Sequence, residues 1–190
     1  MWATAYAIFE TSIGPCGLAW GERGLTGVQL PMGSAEAARA RLQRRFPDAC
    51  ETPPPPPVQA AVDAMSALLR GELSDLSGVA LDFEAIPPFE RSVYDVARSI
   101  PAGSTLTYGE VADRLGDRRL AREVGQALGR NPFPIVVPCH RVLAADGRTG
   151  GFSAPGGVET KLRMLAIERA RPGGEPTLFD DLPLAVRPRR

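Results

Sequence analysis

The tightest constraint on this 190-residue chain is the stretch Asn131-Pro132-Phe133-Pro134-Ile135-Val136-Val137-Pro138-Cys139-His140-Arg141-Val142, an apolar run bounded by prolines that ends in a thiol, an imidazole and a guanidinium. Proline has no N–H and biases the residue before it toward an extended backbone, so residues 135–137 read as a short strand that Pro138 ends. The ending matters because adjacent side chains on a strand point to opposite faces, whereas a turn at Pro138 brings Cys139 and His140 toward one cavity. A cysteine with the ordinary pKa of about 8.5 is only a few per cent thiolate at neutral pH, and it needs a base or positive potential to act as a nucleophile. His140, the only histidine in the chain, and Arg141 supply both within three residues. By residue type alone a buried structural cysteine is the commoner case; the context decides between the two.

Composition narrows the classes. Lys and Arg number 22 and so do Asp and Glu, which excludes a globally basic nucleic-acid binder and leaves room for a local basic face. Cys16, Cys50 and Cys139 form neither a CxxC pair nor an even disulfide set, and with one histidine they build no ordinary zinc site, so no metal is expected. Free thiols, an N-terminus without a basic region and apolar core, and the absence of a bilayer-length apolar run lead to the expectation of a soluble, cytoplasmic protein with no membrane partner.

In the first half, residues 4–10, 17–22 and 25–30 are short β-branched or aromatic runs separated by turn signals, the pattern of an antiparallel meander. Ser34 is placed to cap a helix over 35–46, with Glu36 at its amino end and Arg41, Arg44 and Arg45 at its carboxyl end; a solvated face is the expected fate of this arginine cluster, ahead of a phosphate contact. Pro53–Pro57 reads as a stiff polyproline connector, 58–69 as a helix stopped by Gly71, and 79–83 as a short strand or extended crossover. Residues 1–84 thus form an α+β domain with no catalytic constellation.

From residue 85 the pattern turns helical. Residues 89–100 are amphipathic, and Thr107 and Glu110 have the spacing of a capping box that opens a helix to about residue 115. After the Gly116-Asp117 turn, 119–129 places Leu120, Val124, Ala127 and Leu128 on one side and Arg119, Arg122, Gln126 and Arg130 on the other. That is either a DNA-binding helix-turn-helix or an ordinary solvated hairpin. Residues 144–157 form a glycine-rich loop. In the helix expected over 158–170, Val158, Leu162, Leu165 and Ile167 should pack, and Glu168 near the unfavourable end of the dipole needs water or a cationic partner. A domain over 85–171 is followed by a tail, 172–190, expected to be disordered.

Three of these segments together, Thr107-Tyr108-Gly109-Glu110, Ala121-Arg122-Glu123-Val124-Gly125 and Asn131-Pro132 through Pro138-Cys139-His140-Arg141-Val142, resemble the methylated-DNA–protein-cysteine methyltransferases, or O6-alkylguanine-DNA alkyltransferases. The resemblance covers roughly the second half of the chain, with a weaker echo in the first. It implies an α+β fold in which a small ribonuclease H-like N-terminal antiparallel sheet with helices precedes a mostly helical winged helix-turn-helix domain carrying the active site. It also implies that Cys139 takes an alkyl group from O6-alkylguanine, or O4-alkylthymine, in a flipped nucleotide and is thereby spent. His140, polarised by Glu168, would take the thiol proton through a water; Tyr108 would crowd the target phosphate and donate a hydrogen bond to the departing guanine. Arg122 would fill the space left in the stack, Asn131 would tie the turn before the active site to the helix, and Arg119, Gln126 and Arg130 would line the DNA face.

Pocket residues implied by the same resemblance are Leu128, Pro134, Val142, Phe152 and Ser153, and the partner is double-stranded DNA with an alkylated guanine, approached from the minor groove by a monomer. One segment departs from the family pattern: Phe152-Ser153 is followed by Ala154-Pro155 before Gly156-Gly157, which puts the pocket lid and the alkyl range in question. Two competing readings are a protein that recognises alkylated DNA without chemistry and a cysteine hydrolase with a Cys-His-Glu relay. The first replaces the motif cysteine, which is present here, and the second gives Arg122 no role.

Overall fold

The computed structural model describes residues 3–145 and 149–170. The tail 172–190 and the Asp146-Gly147 turn signal lie outside them.

Three strands, β1 (Ala5–Phe9), β2 (Cys16–Gly21) and β3 (Gly24–Gln29), form the expected antiparallel meander, with Ala7 opposite Leu18 and Leu18 opposite Val28. The sheet is mixed, however, rather than antiparallel throughout. Cys50–Glu51 adds a two-residue strand, β4, parallel to β1, and the order is β3-β2-β1-β4. The helical crossover between β3 and β4 returns the chain in the direction of β1, which is how parallel neighbours arise; so short and exposed a strand has no signature of its own.

Alternation along the strands sends side chains to two helices. Tyr6 and Ala19 meet Leu42 and Phe46 of α1 (Ala35–Arg45) and its cap, while Ala5, Leu18 and Trp20 meet Val62, Met65 and Leu69 of α2 (Pro56–Leu69). Ser34 caps α1 as expected, accepting from the Ala37 N–H at 3.2 Å. The polyproline connector is shorter than expected. Pro56 and Pro57 are the first turn of α2, where the N–H that proline lacks has no helical acceptor to lose. Residues 79–83 make one parallel bridge, Leu25 to Leu81, and are otherwise a crossover.

The second half contributes α3 (Pro88–Arg98), α4 (Tyr108–Arg114) and α5 (Ala121–Gly129), which pack through Val93, Ala97, Val111, Val124 and Ala127 around Phe133. The capping box is formed: the Glu110 N–H donates to Thr107 Oγ1 at 3.1 Å, and the Thr107 N–H donates to Glu110 Oε2 at 2.6 Å. A single 3₁₀ turn, Arg118–Leu120, leads into α5. Short parallel strands β5 (Leu106–Thr107) and β6 (Val142–Leu143) tie the start of α4 to the segment after the cysteine.

The last helix among the described residues, α6 (Gly157–Ile167), is rotated from the expected packing: its buried residues are Lys161, Met164 and Leu165, while Val158 and Leu162 are 40% and 50% exposed. Lys161 and Glu168 lie seven residues apart, hence on one face, and their buried hydrogen bonds set the rotation in place of the leucine periodicity. The core of the first half also takes in Ile135, Val136 and Met164, so the two halves share packing across residue 84. Among the described residues no helix is long and apolar enough to cross a membrane.

Candidate active site

The segment before the cysteine is not the strand expected from its apolar run. Residues 134–137 turn, and Ile135 sits at φ 77°, a left-handed conformation that a β-branched residue rarely adopts. A proline at each end and a buried apolar run look like a strand by composition, yet the pairing partners a strand needs are absent here among the described residues. Asn131 closes the turn with its amide, donating from Nδ2 to the Val137 carbonyl at 2.8 Å and accepting the Phe133 N–H at Oδ1 at 2.9 Å. Cys139–Arg141 then forms one 3₁₀ turn before β6.

This turn sends successive side chains in different directions. Cys139 lines a cavity of about 870 Å³, whereas His140 lies wholly buried behind it and takes no part in the lining. The sequence leads to the expectation that both face one cavity; instead the thiol faces the cavity and the imidazole supports it from behind.

Behind the cysteine stands a charged ladder. His140 Nε2 is 3.0 Å from Glu168 Oε1, and Arg141 donates from Nε to Oε2 and from Nη2 to Oε1, both at 2.8 Å. Arg141 Nη1 also reaches the Ile100 carbonyl at 2.5 Å. Burial works to raise the Glu168 pKa, but the hydrogen bonds and charges of His140 and Arg141 hold it at about 2, so the carboxylate is ionised. Burial in turn depresses the His140 pKa, despite the opposing pull of Glu168. Arg141 already balances the carboxylate charge, which leaves His140 neutral. Its Nε2–H then donates to Glu168, and Nδ1 carries the free lone pair; that atom has no hydrogen-bond partner among the described residues.

Burial raises the Cys139 pKa, against a hydrogen bond from Asn131, the positive charge of Lys161 and nearby backbone N–H groups, which all lower it. The resting thiol is therefore protonated, in surroundings arranged to accept the thiolate. Lys161 has no signal in the sequence, where it is one more helical cation. It is fully buried, donates to the Val142 and Thr149 carbonyls at 2.6 and 2.5 Å, and lies 5.9 Å from the Tyr108 ring centre. Burial brings its pKa down to about 8, with Cys139 working the other way.

The remaining expected residues divide clearly. Tyr108, Arg122, Arg130 and Asn131 line the cavity with Leu128, Pro134, Phe152 and Ser153. Val142 does not: it is buried in the core, and its carbonyl serves Lys161. Arg119 and Gln126 also stay outside, Arg119 being paired with Asp117 at 2.9 Å and Gln126 exposed on α5. Arg130 is at the rim but pairs with Glu90 at 2.8 Å. Gly150, at φ 64°, passes so near Tyr108 that a Cβ there would stand 3.1 Å from the ring and hydroxyl. Ser153 donates to the Gly129 carbonyl at 2.7 Å, closing the loop onto the end of α5. Among the described residues no group of His, Cys, Asp and Glu is arranged to hold a metal ion.

Comparison with known proteins places this geometry. Residues 88–170 match the model of the 6-O-methylguanine DNA methyltransferase DNA binding domain. A methylated-DNA–protein-cysteine methyltransferase from Methanothermobacter thermautotrophicus is 39% identical over 152 residues, 80% of this chain and 78% of that protein. One from Mycobacterium bovis is 36% identical over 175 residues, 92% of this chain and 98% of that protein. The chain belongs to the methylated-DNA–protein-cysteine methyltransferase family. Its fold agrees: the crystal structure of Mycobacterium tuberculosis OGT in complex with DNA superposes with a TM-score of 0.69 at 34% identity, covering 87% of this chain and 92% of that one. The Pyrococcus kodakaraensis O6-methylguanine-DNA methyltransferase gives 0.65 at 28% identity, covering 86% of this chain and 98% of that one. The family's α+β fold, with a small mixed sheet and helices, is the fold described above.

Proposed function

We propose that this protein repairs DNA by moving an alkyl group from O6 of guanine to Cys139 Sγ, once per chain. The observation that carries the reading is the placement of one thiol on the cavity wall, backed by a neutral imidazole whose other nitrogen is held by an ionised carboxylate.

The chemistry follows from these groups. The Cys139 proton passes through a water to His140 Nδ1, and the resulting imidazolium is stabilised by Glu168. The thiolate attacks the alkyl carbon, an S–C bond forms as the C–O6 bond breaks, and the bonding pair moves into the guanine ring. The proton is finally taken up by the guanine, which regains its keto form, so thiol plus alkylguanine becomes thioether plus guanine. Tyr108, a cavity phenol whose pKa is raised by burial and by Cys139, stays protonated and donates to the base as negative charge develops on it. A thioether offers no leaving group at ordinary pH, so Cys139 is not regenerated. The alkyl group comes from the lesion, and the reaction needs no cofactor.

The alkyl carbon of a stacked base lies out of reach of a wall cysteine, so the nucleotide must rotate into the cavity. Arg122 is placed at the rim to occupy the gap. In this reading residues 85–171 act as a winged helix-turn-helix on the minor groove, with the loop through Phe152 and Ser153 as the wing, and residues 1–84 act as a ribonuclease H-like support. The protein works as a cytoplasmic monomer, and O4-alkylthymine is the second substrate to test.

The test is the intact mass of the protein after incubation with duplex DNA containing O6-methylguanine, followed by peptide mapping. One added methyl group on Cys139, saturating at one per chain, is the expected result. Tight binding without a mass change would replace transfer by recognition alone, and release of product beyond one equivalent would replace it by turnover.

A further inference from the structure

The cavity has a wall that the helix-turn-helix reading leaves unused. Val28, Gln29 and Leu30 at the end of β3, with Arg41 and Arg45 toward the carboxyl end of α1, face Tyr108, Arg122 and Leu128 across the same space as Cys139. Arg41 and Arg45 are four residues apart and so share one face of α1. From the sequence alone they belong to a solvated helix face. Here they stand over the active-site cavity.

Three observations separate them from ordinary surface arginines. The first is their lack of partners: among the described residues neither forms an ion pair or a side-chain hydrogen bond, whereas Arg39 on the same helix is paired with Glu51 at 2.7 Å. At the cavity rim, Arg130 is likewise neutralised by Glu90. Arg41, Arg45 and Arg122 are left as a cluster of like charges around one opening, each without a carboxylate among the described residues.

The second is that a seat is built for one of them. Arg45 lies against β3 where a Cβ on Gly27 would stand 2.9 Å from its Nη1, and its guanidinium is 4.9 Å from the Phe46 ring centre. A side chain at position 27 would displace it. The third is electrostatic: its surroundings and then the neighbouring Arg41 lower the Arg45 pKa, the direction expected for a solvent-exposed cation beside a like charge, with no anion among the described residues to offset that repulsion. An anion arriving at the rim relieves it.

We propose that Arg41 and Arg45 form a phosphodiester-binding site, by which helix α1 of the N-terminal half grips the backbone of the DNA whose alkylated base enters the cavity. The proposal rests on the DNA-repair reading above. The occupant is the sugar-phosphate backbone of that DNA, because two neighbouring guanidinium groups without acceptors, opening onto the cavity that takes the base, match successive phosphates in charge and in place.

The test is the salt dependence of binding to a labelled duplex, measured for the full chain by fluorescence anisotropy. It is run beside single-turnover alkylation of Cys139 by duplex O6-methylguanine and by free O6-benzylguanine. The slope of log K against log salt falls by about 0.9 for every phosphate that the protein no longer neutralises, so Arg41→Ala/Arg45→Ala should flatten it by about 1 to 2. Transfer from duplex at limiting protein should slow in step, and by a larger factor than alkylation by the free base, which brings no phosphate. Arg41→Lys/Arg45→Lys should restore most of the slope, because a point charge still meets a phosphate; a purely structural role for Arg45 on Phe46 would not be rescued. Arg44→Ala, on the same turn as Arg45 but outside the cavity, is the control and should leave the slope unchanged. If the double alanine variant keeps the wild-type slope, the proposal is overturned while the repair reading stands. If the wild-type protein takes no methyl group from duplex DNA, the repair reading falls and the proposal falls with it.

Discussion

Replacing Glu168 by Gln keeps the side chain's size and removes its charge, and the structure sets both the magnitude and the pH dependence of the result. The Glu168 side chain is 3% exposed and holds His140 and Arg141 together. Burial works to raise its pKa, yet hydrogen bonds from His140 and Arg141 bring it from 4.5 down to about 2. At about 1.4 kcal/mol per pH unit, that difference is worth about 3 kcal/mol of folding stability. The folded pKa lies below the unfolded one, so this stability is fully present above about pH 4.5 and is lost as pH falls toward 2.

The substitution also leaves the buried guanidinium of Arg141 without a counter-charge, and breaking a buried pair in this way costs about 3–5 kcal/mol. Urea unfolding followed by circular dichroism should therefore show Glu168→Gln less stable by about 3–5 kcal/mol near neutral pH. Between about pH 6 and pH 3 the wild type should lose stability faster, narrowing the gap by about 2 kcal/mol. A gap that stays constant over that range would refute the ionised ladder and with it the neutral His140 tautomer.

Cys139→Ala should abolish transfer while duplex affinity, measured by gel shift, stays within the wild-type range, since the thiol makes no contact needed for docking. Arg122→Ala should slow alkylation by duplex O6-methylguanine by about 10- to 100-fold, the worth of about 1–3 kcal/mol of stacking, and spare alkylation by the free base; equal loss in both assays would contradict the assigned role. Lys161→Met removes the charge that lowers the Cys139 pKa, so the rising limb of the single-turnover pH profile should move to higher pH. The same change strands the Val142 and Thr149 carbonyls, at about 1–3 kcal/mol each, which thermal unfolding will register. Gly150→Ala puts a Cβ 3.1 Å from Tyr108 at a φ of 64°, and should cost about 1 kcal/mol while slowing transfer through the displaced phenol.

What the sequence makes legible is local. The Ser34 cap, the Thr107–Glu110 capping box and the helices they start depend on residues three or four apart, and they appear where the spacing puts them. The reactive residues are legible too, because Cys139 and His140 are adjacent, and Glu168 stands at a helix end where it needs water or a cationic partner, which the family resemblance supplies as His140. What fails depends on distance. Arg141 joins the ladder through a helix 27 residues away, and Lys161 is buried because of carbonyls 12 and 19 residues before it. Arg41 and Arg45 become cavity residues only when the sheet brings α1 against the far side of the opening. The alternation of Val158 and Leu162 misleads for the same reason: two polar anchors outweigh two apolar periodic positions once the anchors have partners.

The placement of the thiol is itself a joint product of both halves. A residue such as Ile135 in left-handed backbone costs about 1–3 kcal/mol and persists only where its surroundings over-determine it. Three sets of contacts do so. The Ile135 and Val136 side chains are buried in the core built around Leu18 and Met65, and the Val28 N–H of β3 donates to the Pro132 carbonyl at 2.8 Å. Asn131 bridges the turn internally, and the Val137 and Cys139 N–H groups fold back on the Phe133 and Val137 carbonyls, each at 2.8 Å. Pro138 then carries the chain directly from the clamped turn into Cys139. The N-terminal sheet therefore supplies no reacting group and still helps to fix the nucleophile: without β3 and its core, only the turn's own hydrogen bonds would be left to hold Ile135 in its strained conformation, and with it the direction of the Cys139 side chain.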